Sequence, residues 1–346
     1  MKEKGKVKNE VKHKVTIDEI AIEMGCSKTT VSRALSGKGR ISSEMREKVL
    51  DYSRKCGYKP NMIAKSLADS KTYNVGVILP SDQELNEIPF FQNCLLGICE
   101  VAAEGGYDAL VTTVEDNDIF RLQNVIEKKK VDAVILTRTL QDDIAIAYLK
   151  ESGVPFLVVG SCPDQDVTQV DNHHREACRE LTSMLCMQHP RRMAFIGGDQ
   201  RHIVSQNRYK GYQEGMELNK VKPDPKMVFL NCNTKASVNQ AVEKILEAQA
   251  DCILCMDDKI CSQVLVKLDN EHLSIPKDIK VASFYDSVFL QSHNPAITTL
   301  QFDEKELGRV ACKAILDQLE GKEIQGKTYL TYDVVMKPST RWTINR

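Results

Sequence analysis

Val15-Thr-Ile-Asp-Glu-Ile-Ala-Ile-Glu-Met-Gly25-Cys-Ser-Lys-Thr-Thr-Val-Ser-Arg-Ala-Leu35 reads as two short helices joined at a tight turn. Thr16 followed by Glu19 forms a capping box, which pairs two amide donors left open at a helix start. The helix it opens carries Ile17, Ile20, Ala21 and Met24 on one face. Gly25 ends that helix, and Ser27 caps a second one running from Lys28 to Leu35. A helix-turn-helix needs a small residue in its first helix, a glycine at the turn and apolar residues locking the pair. Ala21, Gly25 and Val31 supply these at the right spacing, with Ile20, Met24 and Cys26 filling the core positions. Lys28, Thr29, Ser32 and Arg33 then face outward. Arginine and lysine donate to guanine O6 and N7 in the major groove, while threonine and serine reach phosphates or bases. The plainer reading is a three-helix packing unit with a solvated basic face; the turn glycine and the outward cations weigh against it.

Charge weighs against it too. Residues 1–71 hold 17 Lys and Arg against 9 Asp and Glu, a net +8, so the chain's overall −1 leaves about −9 for the remainder. A small basic unit joined to a larger acidic one predicts that one end alone meets a polyanion. Within that basic stretch, residues 1–14 form a Lys-rich tail with little to bury. After Gly37 and Gly39, Ser42 or Ser43 opens a third helix with Met45, Val49, Tyr52 and Cys56 on its inner face, and Gly57 stops it. Lys59-Pro60-Asn61 breaks the chain, and Asn61 caps a short potential helix, Met62–Ala68. It falls below the length at which a helix is stable alone in water, so it is expected to need a partner.

From Asn74 the period changes. Short apolar runs alternate with helical stretches: Val75–Leu79, Ala109–Val114, Ala133–Leu136, Phe156–Val159, Met193–Ile196, Val228–Leu230, Cys252–Met256 and Val281–Phe284. Such alternation predicts βαβ units and parallel sheets covered on both faces. Eight strands exceed what one compact doubly wound sheet needs, so two sheets are expected, with ligand beyond the carboxyl ends of the strands.

The remaining inventory excludes several classes. No secretory h-region follows the charged start and no run of 18 apolar residues occurs, so a cytoplasmic protein with no membrane partner is expected. The 12 cysteines are scattered, many in apolar runs, which points to reduced core thiols. Cys252 and Cys255 form a C-x-x-C, but no second pair completes a zinc site, and their surroundings read as a buried strand. No metal or cofactor is expected. His173, His174 and His189 show no partner pattern and receive no role. The chain lacks Gly-x-Ser-x-Gly, Walker, Gly-x-Gly-x-x-Gly and His-Glu-x-x-His motifs, so no enzyme is expected.

Val15-Thr-Ile-Asp-Glu-Ile-Ala, then Gly25-Cys-Ser-Lys-Thr-Thr-Val-Ser-Arg-Ala-Leu, then Tyr58-Lys-Pro-Asn-Met-Ile-Ala-Lys-Ser-Leu67 together resemble the headpiece and hinge of the LacI/GalR regulators. The similarity runs on to the C-terminus. It implies a small all-α helix-turn-helix headpiece and hinge helix followed by two α/β doubly wound parallel-sheet subdomains of the periplasmic-binding-protein type I fold, joined by three crossovers with effector between them. By this resemblance Lys28, Thr29 and Arg33 read bases, and Thr16, Ser27, Thr30 and Ser32 are expected on the DNA backbone. Leu67 matches the hinge leucine that wedges into the minor groove, with Asn61, Ala64 and Lys65 around it. A wedge of this kind costs a few kcal/mol of unstacking, repaid by a bend that brings more protein onto the DNA, and is cheapest at a pyrimidine–purine step.

Around the effector, the resemblance implies Phe90, Phe91, Arg208, Asp257 and Asp286, and position after the Ala133–Leu136 strand adds Arg138. Arg208, in Asn207-Arg-Tyr-Lys-Gly-Tyr212, matches an Arg-x-x-Gly-aromatic motif whose arginine holds hydroxyls or a carboxylate. Phe90 and Phe91 match a Pro-aromatic-aromatic segment that stacks on a sugar face, and Arg138 directly follows a strand. Two departures stand out: Asp257 replaces a common asparagine, and Ser283-Phe-Tyr-Asp286 replaces Gly-aromatic-Asp-Asp.

The expectation is therefore a dimeric, sequence-specific transcription regulator, a repressor, binding a near-palindromic operator under control of a carbohydrate-like effector. Its divisions are a tail (1–14), a headpiece (15–58), a hinge (59–73) and a core (74–346). Within the core an N-subdomain takes about 74–171 and 302–328, and a C-subdomain about 172–298 and 329–346. Four residues follow Trp342, without leucine heptads, which favours a dimer over a tail-built tetramer. The rivals are a sugar-binding transport protein or an α/β enzyme with a non-specific DNA-anchoring headpiece. The first has no use for residues 17–35.

Overall fold

The structure, a computed structural model, describes residues 15–37, 39–58, 62–81 and 89–341. The expected tail, Asn61 and the segment from Trp342 lie outside them. The chain divides after Lys71 into two compact units.

In the smaller unit α1 (Ile17–Glu23), α2 (Lys28–Ser36) and α3 (Ser43–Lys55) bury Ile20, Ala21, Val31, Ala34 and Val49 against each other. The caps are those the side chains dictate. Thr16 and Glu19 exchange both bonds of the capping box, and Ser27 and Ser42 accept from Thr30 N and Met45 N. Gly25 and Gly37 adopt φ of +60° and +71°, left-handed values that let each helix stop within one residue. The next helix, α4 (Met62–Asp69), runs one residue past the expected Met62–Ala68. Its last turn closes on itself: Ser66 Oγ donates to the Lys71 carbonyl and Lys71 N to Ser66 O. Ile63 and Leu67 on it remain 80% and 83% exposed, so its apolar face is still uncovered.

Among the described residues of the larger unit, twelve strands form two six-stranded sheets. The first holds β1 (Asn74–Pro80), β2 (Asp108–Val114), β3 (Ala133–Leu136), β4 (Phe156–Val159), β5 (Thr168–Asn172) and β11 (Lys327–Leu330), in the order β11-β5-β4-β3-β1-β2 and wholly parallel. Alternation along β1 sends Val75, Val77 and Leu79 to α5 (Pro89–Glu104) and α13 (Glu304–Leu319), and Ile78 to α6 (Phe120–Glu127) and α7 (Ile144–Ser152). The second sheet holds β6 (Met193–Ile196), β7 (Val228–Phe229), β8 (Cys252–Cys255), β9 (Lys280–Ser283), β10 (Thr298–Gln301) and β12 (Asp333–Val335), ordered β12-β10-β9-β8-β6-β7; only β12 is antiparallel. Helices α8 (His174–Cys186) and α9 (Ile203–Leu218) pack together, as do α10 (Lys235–Glu247) and α11 (Asp258–Asn270); α12 (Val288–Ser292) is a short turn of helix. The chain passes between the sheets after β5, β10 and β11.

Eight strands are predicted from apolar runs, and the four others are β5, β10, β11 and β12. They carry Gln169, Asp171, Thr298, Thr299 and Lys327 instead of unbroken apolar residues. Three of them, β5, β10 and β11, end where the chain crosses between sheets, and β5 and β10 carry buried side-chain hydrogen bonds there. Gln169, for instance, pairs with both backbone groups of Cys162. Cys252 and Cys255 lie fully buried in β8, where burial pushes the Cys252 thiol up to about 12. No helix among the described residues is long and apolar enough to cross a membrane.

Candidate functional site

In the smaller unit, α2 turns Val31 and Ala34 inward and leaves Lys28, Thr29, Ser32 and Arg33 exposed. Thr29 and Arg33, one helical turn apart, stack on one face. Arg33 is also positioned: a Cβ built on Gly39 (φ +84°) would lie 3.0 Å from Arg33 Cδ, so the arginine stem runs along bare backbone. Lys28 differs from the others because its ammonium pairs with Asp18 on α1. Ser27 and Thr30 share a hydroxyl contact of 2.9 Å at the helix start, and Thr16 is engaged in its own cap. On α4, Ala64, Lys65 and Leu67 are exposed.

In the larger unit a cavity of about 660 Å³ lies between the two sheets. Its walls come from the carboxyl ends of strands in both sheets: Arg138 after β3, Asp171 in β5, Asp257 after β8 and Tyr285 after β9. Phe90 and Phe91, at the start of α5, add aromatic surface and meet edge to face at 5.2 Å. Arg208, on α9, is buried. Its Nη1 donates to the Met256 carbonyl at 3.1 Å, its guanidinium lies 5.4 Å above the Tyr285 ring, and its Nε is buried without a partner. Five of the six expected effector residues thus line one cavity.

Asp286 does not. Its carboxylate accepts from Gln301 at 2.5 Å and Gln291 at 2.9 Å, with Lys337 at 3.4 Å, and stands outside the cavity wall. Tyr285 takes the wall position beside it. Its hydroxyl donates to Glu304, so it offers the cavity a ring face. Asp257 caps α11 by accepting from Ile260 N at 2.8 Å, a task that needs only an acceptor and suits aspartate as well as asparagine. Arg138 lines the cavity, but its Nη2 lies 3.0 Å from Asp116 Oδ1, so its charge is already matched. Of the cavity arginines, Arg208 alone keeps a buried donor with no partner. His174, assigned no role above, also lines the wall, and burial lowers its pKa, favouring the neutral ring. A histidine two residues after a strand carries no spacing signal that sequence reasoning could use. His173 instead stacks on Tyr329 at 4.5 Å.

Asp171 and Asp258 are the unusual carboxyls: burial pushes each from 3.8 up to about 6. A raised folded pKa means the folded state holds its proton more tightly than the unfolded chain does. Stability from this source is present below about pH 4 and is lost as pH rises toward 6. Asp258→Asn is therefore expected to stabilise the protein at pH 7 by on the order of 1–3 kcal/mol. The gain should vanish near pH 4, and urea unfolding at pH 4, 5, 6 and 7 reads the difference. No gain at pH 7 would show that the cavity solvates this carboxylate.

Two family models match the chain: the lacI family of bacterial regulatory proteins over residues 16–61, and a periplasmic binding protein-like domain over residues 182–340. The transcriptional regulator MalR of Streptococcus pneumoniae is 28% identical over 336 residues, covering 93% of this chain and 99% of its own. The chain is similar to the LacI family. It is accordingly a DNA-binding transcriptional regulator and not an enzyme. Catabolite control protein A of Staphylococcus xylosus is 24% identical to this regulator, covering 90% of its chain and 94% of the relative's. Among solved structures, the lac repressor dimer bound to operator and an anti-inducer shares its fold with a TM-score of 0.78 at 21% identity, covering 95% and 99% of the two chains. A CelR–cellobiose complex shares it with a TM-score of 0.72 at 24% identity, covering 94% and 100%.

Proposed function

We propose that this protein is a LacI-family regulator that works as a dimeric repressor in the cytoplasm, reading a near-palindromic operator and releasing or tightening it in response to a carbohydrate-like effector. The observation that carries this reading is the exposed α2 face, where Thr29 and Arg33 stack and Arg33 rests along Gly39. In this proposal those two side chains read bases, with Lys28 assisting once DNA competes for its ammonium. Thr16, Ser27, Thr30 and Ser32 serve the phosphates. The headpiece is residues 15–58 and the hinge 59–73, with Leu67 as the minor-groove wedge and Asn61, Ala64 and Lys65 about it. The uncovered apolar face of α4 supports that role.

The core, 74–346, takes effector in the cavity, against Phe90, Phe91, Arg138, Arg208 and Asp257. Mixed aromatic, cationic and carboxyl walls suit a polyhydroxylated ligand, whose apolar ring faces stack while its hydroxyls both donate and accept. The CelR structure holds cellobiose, and the lac repressor structure is an operator-bound dimer, which support the same reading here.

Selection of bound duplexes from a random library by the full-length protein, at near-physiological salt, tests it. Enrichment of one palindrome with a pyrimidine–purine step at its centre is expected. Salt-sensitive binding without any enriched sequence would reduce the headpiece to a non-specific anchor and overturn the operator reading.

A further inference from the structure

We infer that Asp116 is a positioning residue that fastens the two sheets' layers around the cavity, an inference that rests on reading the cavity as the effector site. Asp116 follows β2, in the first sheet, and its side chain is 13% exposed. One oxygen faces Arg138 of its own sheet at 3.0 Å; the other lies 2.7 Å from Nη1 of Arg201, which follows β6 in the second sheet. Arg201 does not arrive there by chance. Asp199, two residues earlier, holds its Nη2 at 2.6 Å and its Nε at 3.0 Å, presetting the guanidinium. A planar fork held on one side and presented on the other is a joint that lysine could not make.

The same loops meet through their backbones. Gln141 N donates to Arg201 O at 2.8 Å, Ile203 N donates to Thr139 O at 3.2 Å, and Leu140 faces His202 in an antiparallel bridge. Thr139, Arg201 and His202 line the cavity, so these contacts form part of its enclosure. Unlike the three chain crossings between the sheets, they are non-covalent and can part. Of the two backbone bonds, the one between exposed Gln141 and Arg201 is weak by itself, because water competes for both partners. The one between Ile203 and Thr139 is buried. The carboxylate shared between two arginines adds what the backbone lacks: a charge-assisted contact shielded on the Arg138 side. Asp116 thereby orients a cavity-wall arginine and closes the seam with the same side chain.

Amide hydrogen exchange on the full-length, ligand-free protein tests this. The Gln141 and Ile203 amides, which donate across the seam, are expected to be protected in the parent. They should exchange about tenfold faster in Asp116→Asn, a change that keeps size and an acceptor but removes the charge. Amides inside β3 and β6, such as Ile135 and Phe195, should not change, which separates opening of the seam from general loosening. Arg201→Gln should reproduce the effect, and combining the two should add little, since both remove one contact. Asp116→Glu, which restores the carboxylate, should recover part of the protection. Fast exchange at both amides in the parent, an unchanged rate in Asp116→Asn, or an equal rise at Ile135 and Phe195 would each overturn the proposal. Because no ligand is present, the outcome stands apart from the effector reading, which would fail by absence of carbohydrate binding even with the seam intact.

Discussion

Gly308→Ala is expected to destabilise the larger unit by at least about 2 kcal/mol, although alanine is the better helix former. The intrinsic preference for alanine over glycine inside a helix is about 1 kcal/mol. Against it stands the closeness of α5 and α13, the two helices layered on one face of the first sheet. A Cβ at Gly308 would lie within 3.1 Å of the carbonyl oxygen, carbonyl carbon and Cα of Cys94. The crossing is reciprocal, for a Cβ at Gly97 would press on the Lys305 carbonyl and come 2.9 Å from Arg309 N. These neighbours are backbone atoms, which cannot rotate aside, so the helices must separate and lose contact along their length. Overpacking costs about 1–3 kcal/mol where side chains can adjust, and more where they cannot. Gly326→Ala is the control: its Cβ would meet nothing within 4 Å and its φ is ordinary, so a change within about 0.5 kcal/mol is expected. Urea unfolding of the two variants beside the parent reads both. Equal midpoints for all three would mean that the α5–α13 spacing relaxes freely.

Arg33→Ala is expected to lower operator affinity by about a hundredfold at fixed salt while leaving the circular dichroism spectrum unchanged. A bidentate arginine–guanine contact is worth about 1–3 kcal/mol, and a dimer makes it twice. Arg33 is exposed and outside the headpiece core, so its loss should not unfold the three helices. Binding to unrelated DNA should fall far less, because one phosphate-range charge changes a salt slope by only about 1. Titration of the selected operator and of an unrelated duplex at two salt concentrations separates the cases. Equal loss on both would make Arg33 a phosphate contact and leave base reading to Thr29.

Much of this was legible in the chain because the decisive signals were local. Thr16 and Glu19, Gly25 and Ser27 act within a few residues of themselves, so their spacing suffices to draw α1, the turn and α2. The apolar runs show the buried strands for the same reason. What escaped were features made by residues distant in sequence. Strand β5 is held by Gln169 and Asp171 contacts that no periodicity reveals, and β11 is a strand only because β5 lies beside it. In the cavity, Arg138 could be placed by its position after a strand, but its pairing with Asp116 could not. Asp286 was misplaced by one residue's difference in direction: Tyr285 turns to the cavity and Asp286 to Gln291, Gln301 and Lys337.

The three passages of the chain between the sheets also bear on how the protein is made. Helix α13 and strand β11, which complete the first sheet's layer, are translated after nearly all of the second sheet, and Lys327 pairs with Gln169 across that interval. On the ribosome the first half therefore waits, with the β5 edge unpaired and the α5 groove around Cys94 open, until the final stretch emerges. Pairings this remote in sequence form slowly and leave apolar surface available to other nascent chains. Chaperone demand during synthesis should accordingly fall on the N-terminal half, and a stop codon shortly before Glu304 would leave both sheets incomplete: β11 and α13 missing from one, β12 from the other.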